Sequence, residues 1–301
     1  MKTVLSKIID LIIHLKRKLR SFAAKKIQFY HNPLIVMGLG RSGTTILLEA
    51  LGQHPQILSA GGESPFIIDL ASLTKIFECS ELTMRKYYLT SIQFSKGYLY
   101  RQVRRLCFET AFGKYYGTRK IMKTLFKDRK HFFNIKYWSV KTFPDYTNYK
   151  EIRALYPNAK FIHIVRNGLD VVQSRTIFPG FRDMEFITHC EWWVGCIERY
   201  EYASKMSHCL MVRHEDLVSQ PVEFFKRIFE ILGIDDHDNS AAFARNNLIH
   251  PLSESTKNNI NVIKEFKSRL PSHQGWTLEQ KEIFKNVCSN KMKKMRYHVP
   301  F

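Results

Sequence analysis

The stretch "PLIVMGLGRSGTTILLEALGQHP", residues 33 to 55, constrains this 301-residue chain more than any other. An apolar run leads into a loop with Gly38, Gly40 and Gly43, and apolar positions at helical spacing then continue to Gly52 and Pro55. That order predicts a buried strand, a tight loop and a helix. A helix start presents unpaired backbone N–H groups and the positive end of the macrodipole, and glycines let an anion approach them closely. The glycine spacing is that of a nucleotide phosphate loop, yet Thr44 stands where such loops carry the lysine that reaches the β- and γ-phosphates. No apolar strand ending in an aspartate offers a partner for magnesium, so a metal is not expected. The predicted ligand is an anion other than a triphosphate awaiting γ-transfer. Gly40, Arg41, Ser42, Gly43, Thr44 and Thr45 form the candidate cradle, and Arg41 adds a planar donor fork suited to phosphate or sulfate.

Four further strands are predicted, in "QILSAGG", "YWSVKTF", "KFIHIVRN" and "CLMVRHEDL", each beside a helical pattern. This is the layout of an α/β fold, P-loop-like and three-layered, with a mainly parallel central sheet covered on both faces. Residues 32–301 are read as a single domain carrying a helical insertion at about 64–135. The insertion interleaves aromatics such as Tyr98, Tyr100, Phe108 and Phe112 with cations; we read helices that bury the rings and turn the cations to water.

Residues 1–31 are read as a basic amphipathic helix, with Leu5, Ile8, Ile9, Ile12 and Leu15 on one stripe. Lys7, Asp10 and His14 interrupt it, so no run approaches the roughly 20 apolar residues that span a bilayer. The basic cluster follows the apolar part and no cleavage site is evident, which argues against a signal peptide. The helix either lies on an anionic membrane, with Lys16, Arg17, Lys18 and Arg20 at the headgroups, or docks on the protein; the expected location is cytoplasmic, peripheral at a membrane face. A net charge of +20 calls for an anionic partner without choosing among cofactor, acceptor, nucleic acid and membrane. Six cysteines without a C-x-x-C pair read as free thiols.

The stretch "GLGRSGTTILLEALGQHPQI" resembles the 5'-phosphosulfate loop of sulfotransferases that use 3'-phosphoadenosine 5'-phosphosulfate (PAPS), in the branch containing tyrosylprotein and carbohydrate enzymes. A second stretch, "YPNAKFIHIVRNGLDVVQSR", resembles that family's 3'-phosphate segment, with Arg166 at a strand end and Ser174 in the following helix. Weaker likeness runs from about Asn32 to Gly233. The resemblance implies sulfuryl transfer from PAPS, with adenosine 3',5'-bisphosphate (PAP) as product, to a hydroxyl of a glycan, glycolipid or related acceptor. Protein tyrosine is the rival acceptor, and a P-loop kinase or nucleoside triphosphatase the more distant alternative. A nucleic-acid partner is not expected, because Arg166 and Ser174 have no role in that reading.

The resemblance makes Glu63, in "GGESPF", the base for the acceptor hydroxyl; the competing reading is a cap for a helix starting near Ser64. Arg41 and Lys141, the latter in "SVKTFPDY", are the donors for developing charge, and Thr44 and Thr45 hold the 5'-phosphate. A loop at Ser255, Thr256 and Lys257 is similar to one that closes over the nucleotide. His54 is read as a helix terminator and His163 as a core residue. Trp192 and Trp193, next to Glu191, are read as core packing, and His214 and Glu215 of "RHEDL" as structural residues on opposite faces of a strand.

Overall fold

Consecutive residues of the first strand point to opposite faces of a sheet, and each face has its own apolar cover. In the computed structural model, residues 32–77, 95–113, 134–143, 148–247 and 273–301 are described. The strands are β1 (Pro33–Met37), β2 (Ile57–Glu63), β3 (Tyr137–Lys141), β4 (Lys160–Val165) and β5 (Cys209–Arg213). They form one sheet in the order β2-β3-β1-β4-β5, with every adjacent pair parallel. The expected parallel α/β sheet is therefore present.

Ile35 and Met37 pack with Trp138, Val140 and Phe161 against helices α2 (Phe66–Ser72), α3 (Lys96–Gly113) and α4 (Asn148–Leu155). Leu34 and Val36 pack on the other face with Ile162, Ile164 and Val212, against α1 (Thr44–Leu51) and two later helices, α8 (Pro221–Leu232) and α9 (Asn239–Asn247). Burying each such side chain contributes about 1.5–3 kcal/mol, which explains why the central strands β1 and β4 read as near-continuous apolar runs rather than alternating ones. A third cluster joins α5 (Gly168–Ile177), α6 (Phe186–Ala203) and α10 (Leu278–Lys294) around Leu39, Val165, Trp193 and Phe284.

Within the insertion the described segments are helical, as expected: α2, a 3-10 turn at Leu73–Phe77, and α3. Tyr100, Phe108 and Phe112 of α3 are buried, the two phenyl rings 5.7 and 6.1 Å from the Trp138 ring, whereas Tyr98, in the first turn of the helix and read as buried, is exposed. Of the six cysteines, Cys107, Cys190, Cys196, Cys209 and Cys288 are free thiols. Cys79, the N-terminal helix at 1–31 and the loop at Ser255–Lys257 lie outside the described residues. Among those described, no helix is long and apolar enough to cross a membrane.

One expectation needs correction. The strand expected through "RHEDL" ends at Arg213, and His214–Ser219 is a short helix, α7. Glu215 and Asp216 fall in its first turn, where carboxylates favour a helix start. Glu215 is structural, but by a different geometry: its carboxylate accepts the Asn167 backbone N–H at 2.8 Å and the Tyr297 hydroxyl at 3.0 Å.

Candidate active site

The chain leaves β1 toward β2 and leaves β4 toward β5, on opposite sides, so the sheet has its switch point between the carboxyl ends of β1 and β4. Ligands of open α/β sheets bind in that crevice. The loop after β1 and the residues after β4 both end there.

Gly43 turns the loop into α1 with φ of +91°, a left-handed conformation that costs glycine nothing. A Cβ at this position would also lie 2.4 Å from Cδ2 of His214. Gly43→Ala is expected to destabilise the fold by about 2–4 kcal/mol, combining left-handed strain and overpacking. The double variant Gly43→Ala, His214→Ala should recover the steric part in urea unfolding, and an additive pair would refute the contact. Burial and the nearby Arg166 push His214 down to about 4, so the ring under the loop is neutral.

Arg41 is a non-glycine residue at φ +81°, a strained conformation that persists only where its surroundings impose it. Here its Nε donates to Ser174 Oγ at 3.0 Å, its carbonyl accepts from Arg166 Nη1 at 3.4 Å, and its guanidinium lies 4.6 Å from the Phe178 ring centre. Arg41, Arg166 and Ser174, far apart in sequence, thus meet at one place. Burial, and then the Arg166 charge, lower the Arg41 pKa. Asp170 takes Arg166 Nη2 at 3.4 Å, which leaves the buried Arg166 Nε without a partner among the described residues. Two neighbouring guanidiniums with one unmet buried donor are the donor set a phosphate requires. The Leu169 backbone N–H donates to Asn167 Oδ1 and Trp193 Nε1 donates to the Arg166 carbonyl (3.1 Å), which fixes this corner at the start of α5.

Beside it, Ser42 and Thr44 are buried in the loop, while Thr45 Oγ1 accepts from Lys141 Nζ at 3.0 Å. The same ammonium reaches Glu63 Oε1 at 2.7 Å. A register shift in β2 between Ser59 and Glu63, with Gly61 at φ +68°, places Glu63 opposite Lys141 on β3. Glu63 does not cap a helix: α2 begins at Phe66 after Pro65, without a side-chain cap.

Glu63 also lines a cavity of about 600 Å³, walled by Met37, Leu39, Phe143, Phe181 and Trp192. Trp192, read from sequence as core packing, is 44% exposed and forms part of this wall; Trp193 is buried as expected. Helical periodicity could not separate a face turned to a cavity from one turned to the core. His54 is buried at the end of α1, its Nε2 2.8 Å from the Asp235 carbonyl and its Nδ1 accepting from Gln56 N. His163, in β4, is pushed down to about 3 by burial and by Arg199, and lies 3.5 Å from Cys196 Sγ. Both rings are neutral and tied into the structure, and His163 also touches the cavity wall.

Sequence reasoning missed Arg175, which is 1% exposed and lines the same cavity. The available signal was an arginine three positions after Val172 and four after Val171, on the buried stripe of α5.

None of the curated protein sequences matches this chain. Among solved structures, the chain is similar to the sulfotransferase domain from the curacin biosynthetic pathway, at 15% identity and a TM-score of 0.47, covering 89% of this chain and 98% of that one. The sulfotransferase domain of the Synechococcus PCC 7002 olefin synthase gives 16%, 0.47, 89% and 96%, and mouse sulfotransferase SULT7A1 complexed with PAP gives 16%, 0.48, 89% and 85%. The model of the sulfotransferase family matches residues 33–238, from β1 to the segment after α8, and so takes in both arginines, Glu63 and Lys141: the chain belongs to the sulfotransferase family.

Proposed function

We propose that this enzyme transfers the sulfuryl group of PAPS to a hydroxyl of a glycan, glycolipid or related acceptor, releasing PAP. The observation that carries the reading is the meeting of Arg41, Arg166 and Ser174 at the switch point, with a buried donor of Arg166 unmet. Arg166, Arg41 and Ser174 hold the 3'-phosphate, and the backbone N–H groups and hydroxyls from Gly40 to Thr45 hold the 5'-phosphate. PAPS supplies the chemistry: its sulfur is attacked by the acceptor oxygen as the bond to the 5'-phosphate oxygen breaks. Positioning and fixed charge dominate such transfers. Glu63, on the wall of the cavity, accepts the acceptor's proton, while Lys141 orients Glu63 and ties it to Thr45 on the phosphate loop. Lys141, bonded to Thr45 of the phosphate loop, stabilises the charge that builds on the departing oxygen.

We read the enzyme as cytoplasmic and peripheral at a membrane face; the support is the +20 charge and the basic N-terminal sequence. The test of the nucleotide assignment is thermal. At 100 times its dissociation constant PAP should add about 2.7 kcal/mol of stability and raise the midpoint by several degrees, and ATP with magnesium should do much less. Equal shifts from both would remove PAPS as the co-substrate. Labelled PAPS offered to glycans, glycolipids and tyrosine peptides then identifies the acceptor, and label on peptides alone would move the enzyme to the tyrosylprotein class.

A further inference from the structure

Buried arginines are normally paired with a carboxylate, because an isolated buried charge is expensive. Arg175 forms no ion pair among the described residues. Its guanidinium packs 4.0 Å from the Phe181 ring centre and 4.7 Å from that of Trp192. Its Nε reaches Nδ1 of the buried His189 at 3.4 Å, and its Nη2 has no hydrogen-bond partner among the described residues. Burial and the adjacent guanidinium hold His189 down at about 4, so that ring is neutral and supplies no counter-charge. The two carboxylates on the cavity wall do not pair with it: Glu63 is held by Lys141, and Glu191 forms no ion pair with Arg175. A Cβ on Gly40 would sit 3.5 Å from Arg175 Nη1, so this cation stands beside the phosphate loop, on the wall of the cavity that Glu63 also lines.

We propose that Arg175 is an anion subsite for the acceptor: the enzyme sulfates a hydroxyl on a small, largely apolar molecule or sugar unit that also carries a carboxylate. This inference rests on the sulfuryl-transfer reading of the site. A cavity of about 600 Å³ with mostly apolar walls takes one ring-sized body rather than a charged polymer segment. The rings of Phe181 and Trp192 flank the guanidinium, and the acceptor's carboxylate meets it at the cavity wall beside Gly40, on the side that carries Nη1. A neutral amide can still accept the N–H, but it leaves the guanidinium's charge uncompensated in a largely apolar wall, so the discrimination reads the charge.

The test compares 4-hydroxyphenylacetate with its neutral isostere 4-hydroxyphenylacetamide, by calorimetric binding with and without PAP and as acceptors of labelled sulfate. The acid is expected to bind the wild-type enzyme about 10- to 100-fold more tightly than the amide. Arg175→Met, which keeps the volume of the side chain, should make the two bind alike and leave the PAP thermal shift unchanged. Equal binding of acid and amide to the wild-type protein overturns the subsite even if the variant does not fold. Equal loss of turnover on both acceptors in Arg175→Met, with acid and amide binding unaltered, would also overturn it and move the charge to the sulfuryl group. Absence of a PAP shift in the wild type would reject the nucleotide reading instead, and the acid-amide comparison without PAP still decides the subsite.

Discussion

Glu63→Gln is expected to lower sulfate transfer by about 10²- to 10⁴-fold, the usual contribution of a positioned base, while PAP binds as it does to the wild type. Glutamine has the size of glutamate and can occupy the same position opposite Lys141, so the loss isolates the ability to take a proton. The structure supports that separation. Glu63 lines the cavity and does not contact Arg41, Arg166 or Ser174, whereas the lysine that holds it at 2.7 Å also holds Thr45 on the phosphate loop. Single-turnover transfer from labelled PAPS is the measurement, because it reads the chemical step without product release. Wild-type rates in Glu63→Gln would leave Glu63 as a mere partner for Lys141. Lys141→Met would then be expected to disturb both nucleotide affinity and rate, since its ammonium touches both halves of the site.

The centre of the sheet was legible because β1 and β4 are buried on both faces, and such strands are short apolar runs that end at a glycine or a charge, as Pro33–Met37 and Lys160–Val165 do. The start of α7 was not, because "RHEDL" follows the strand with no glycine or proline to break it; only the carboxylates at Glu215 and Asp216 mark a helix start. The resemblance between motifs put Arg166 and Ser174 in the 3'-phosphate segment and Arg41 in the phosphate loop; the bond from Arg41 to Ser174 was not foreseen, and no local pattern gives the left-handed backbone of Arg41. Glu63 was found by motif and its aim was not, since the register shift that sets it against Lys141 depends on pairing with a strand remote in sequence. Trp192 and Arg175 show the same limit from the other side. Both lie on helices whose apolar stripes are plain, and only the packing of α5 beside α6 reveals that part of each stripe faces an open volume.

Arg166→Ala is expected to weaken PAP binding by about 10- to 100-fold, the worth of about 1.5–3 kcal/mol for hydrogen bonds to a charged group. The same substitution should change the affinity for 5'-AMP far less. The distinction follows from the site's division into two parts. Arg166 stands at the end of β4 and contacts Arg41 and Asp170, next to Ser174, whereas the 5'-phosphate is assigned to the helix start at Gly43 to Thr45. A nucleotide with only a 5'-phosphate engages the second part alone. Loss of Arg166 also removes the neighbouring charge that helps lower the Arg41 pKa, so some 3'-phosphate attraction persists through Arg41. That is why discrimination should shrink rather than reverse. Calorimetric titration of PAP and 5'-AMP into both proteins, with the ligand-free melting temperature as a control for folding, reads the difference directly. Parallel losses for the two nucleotides would place Arg166 on the 5'-phosphate, and a nucleotide bound in that orientation would no longer present its sulfuryl group to Glu63.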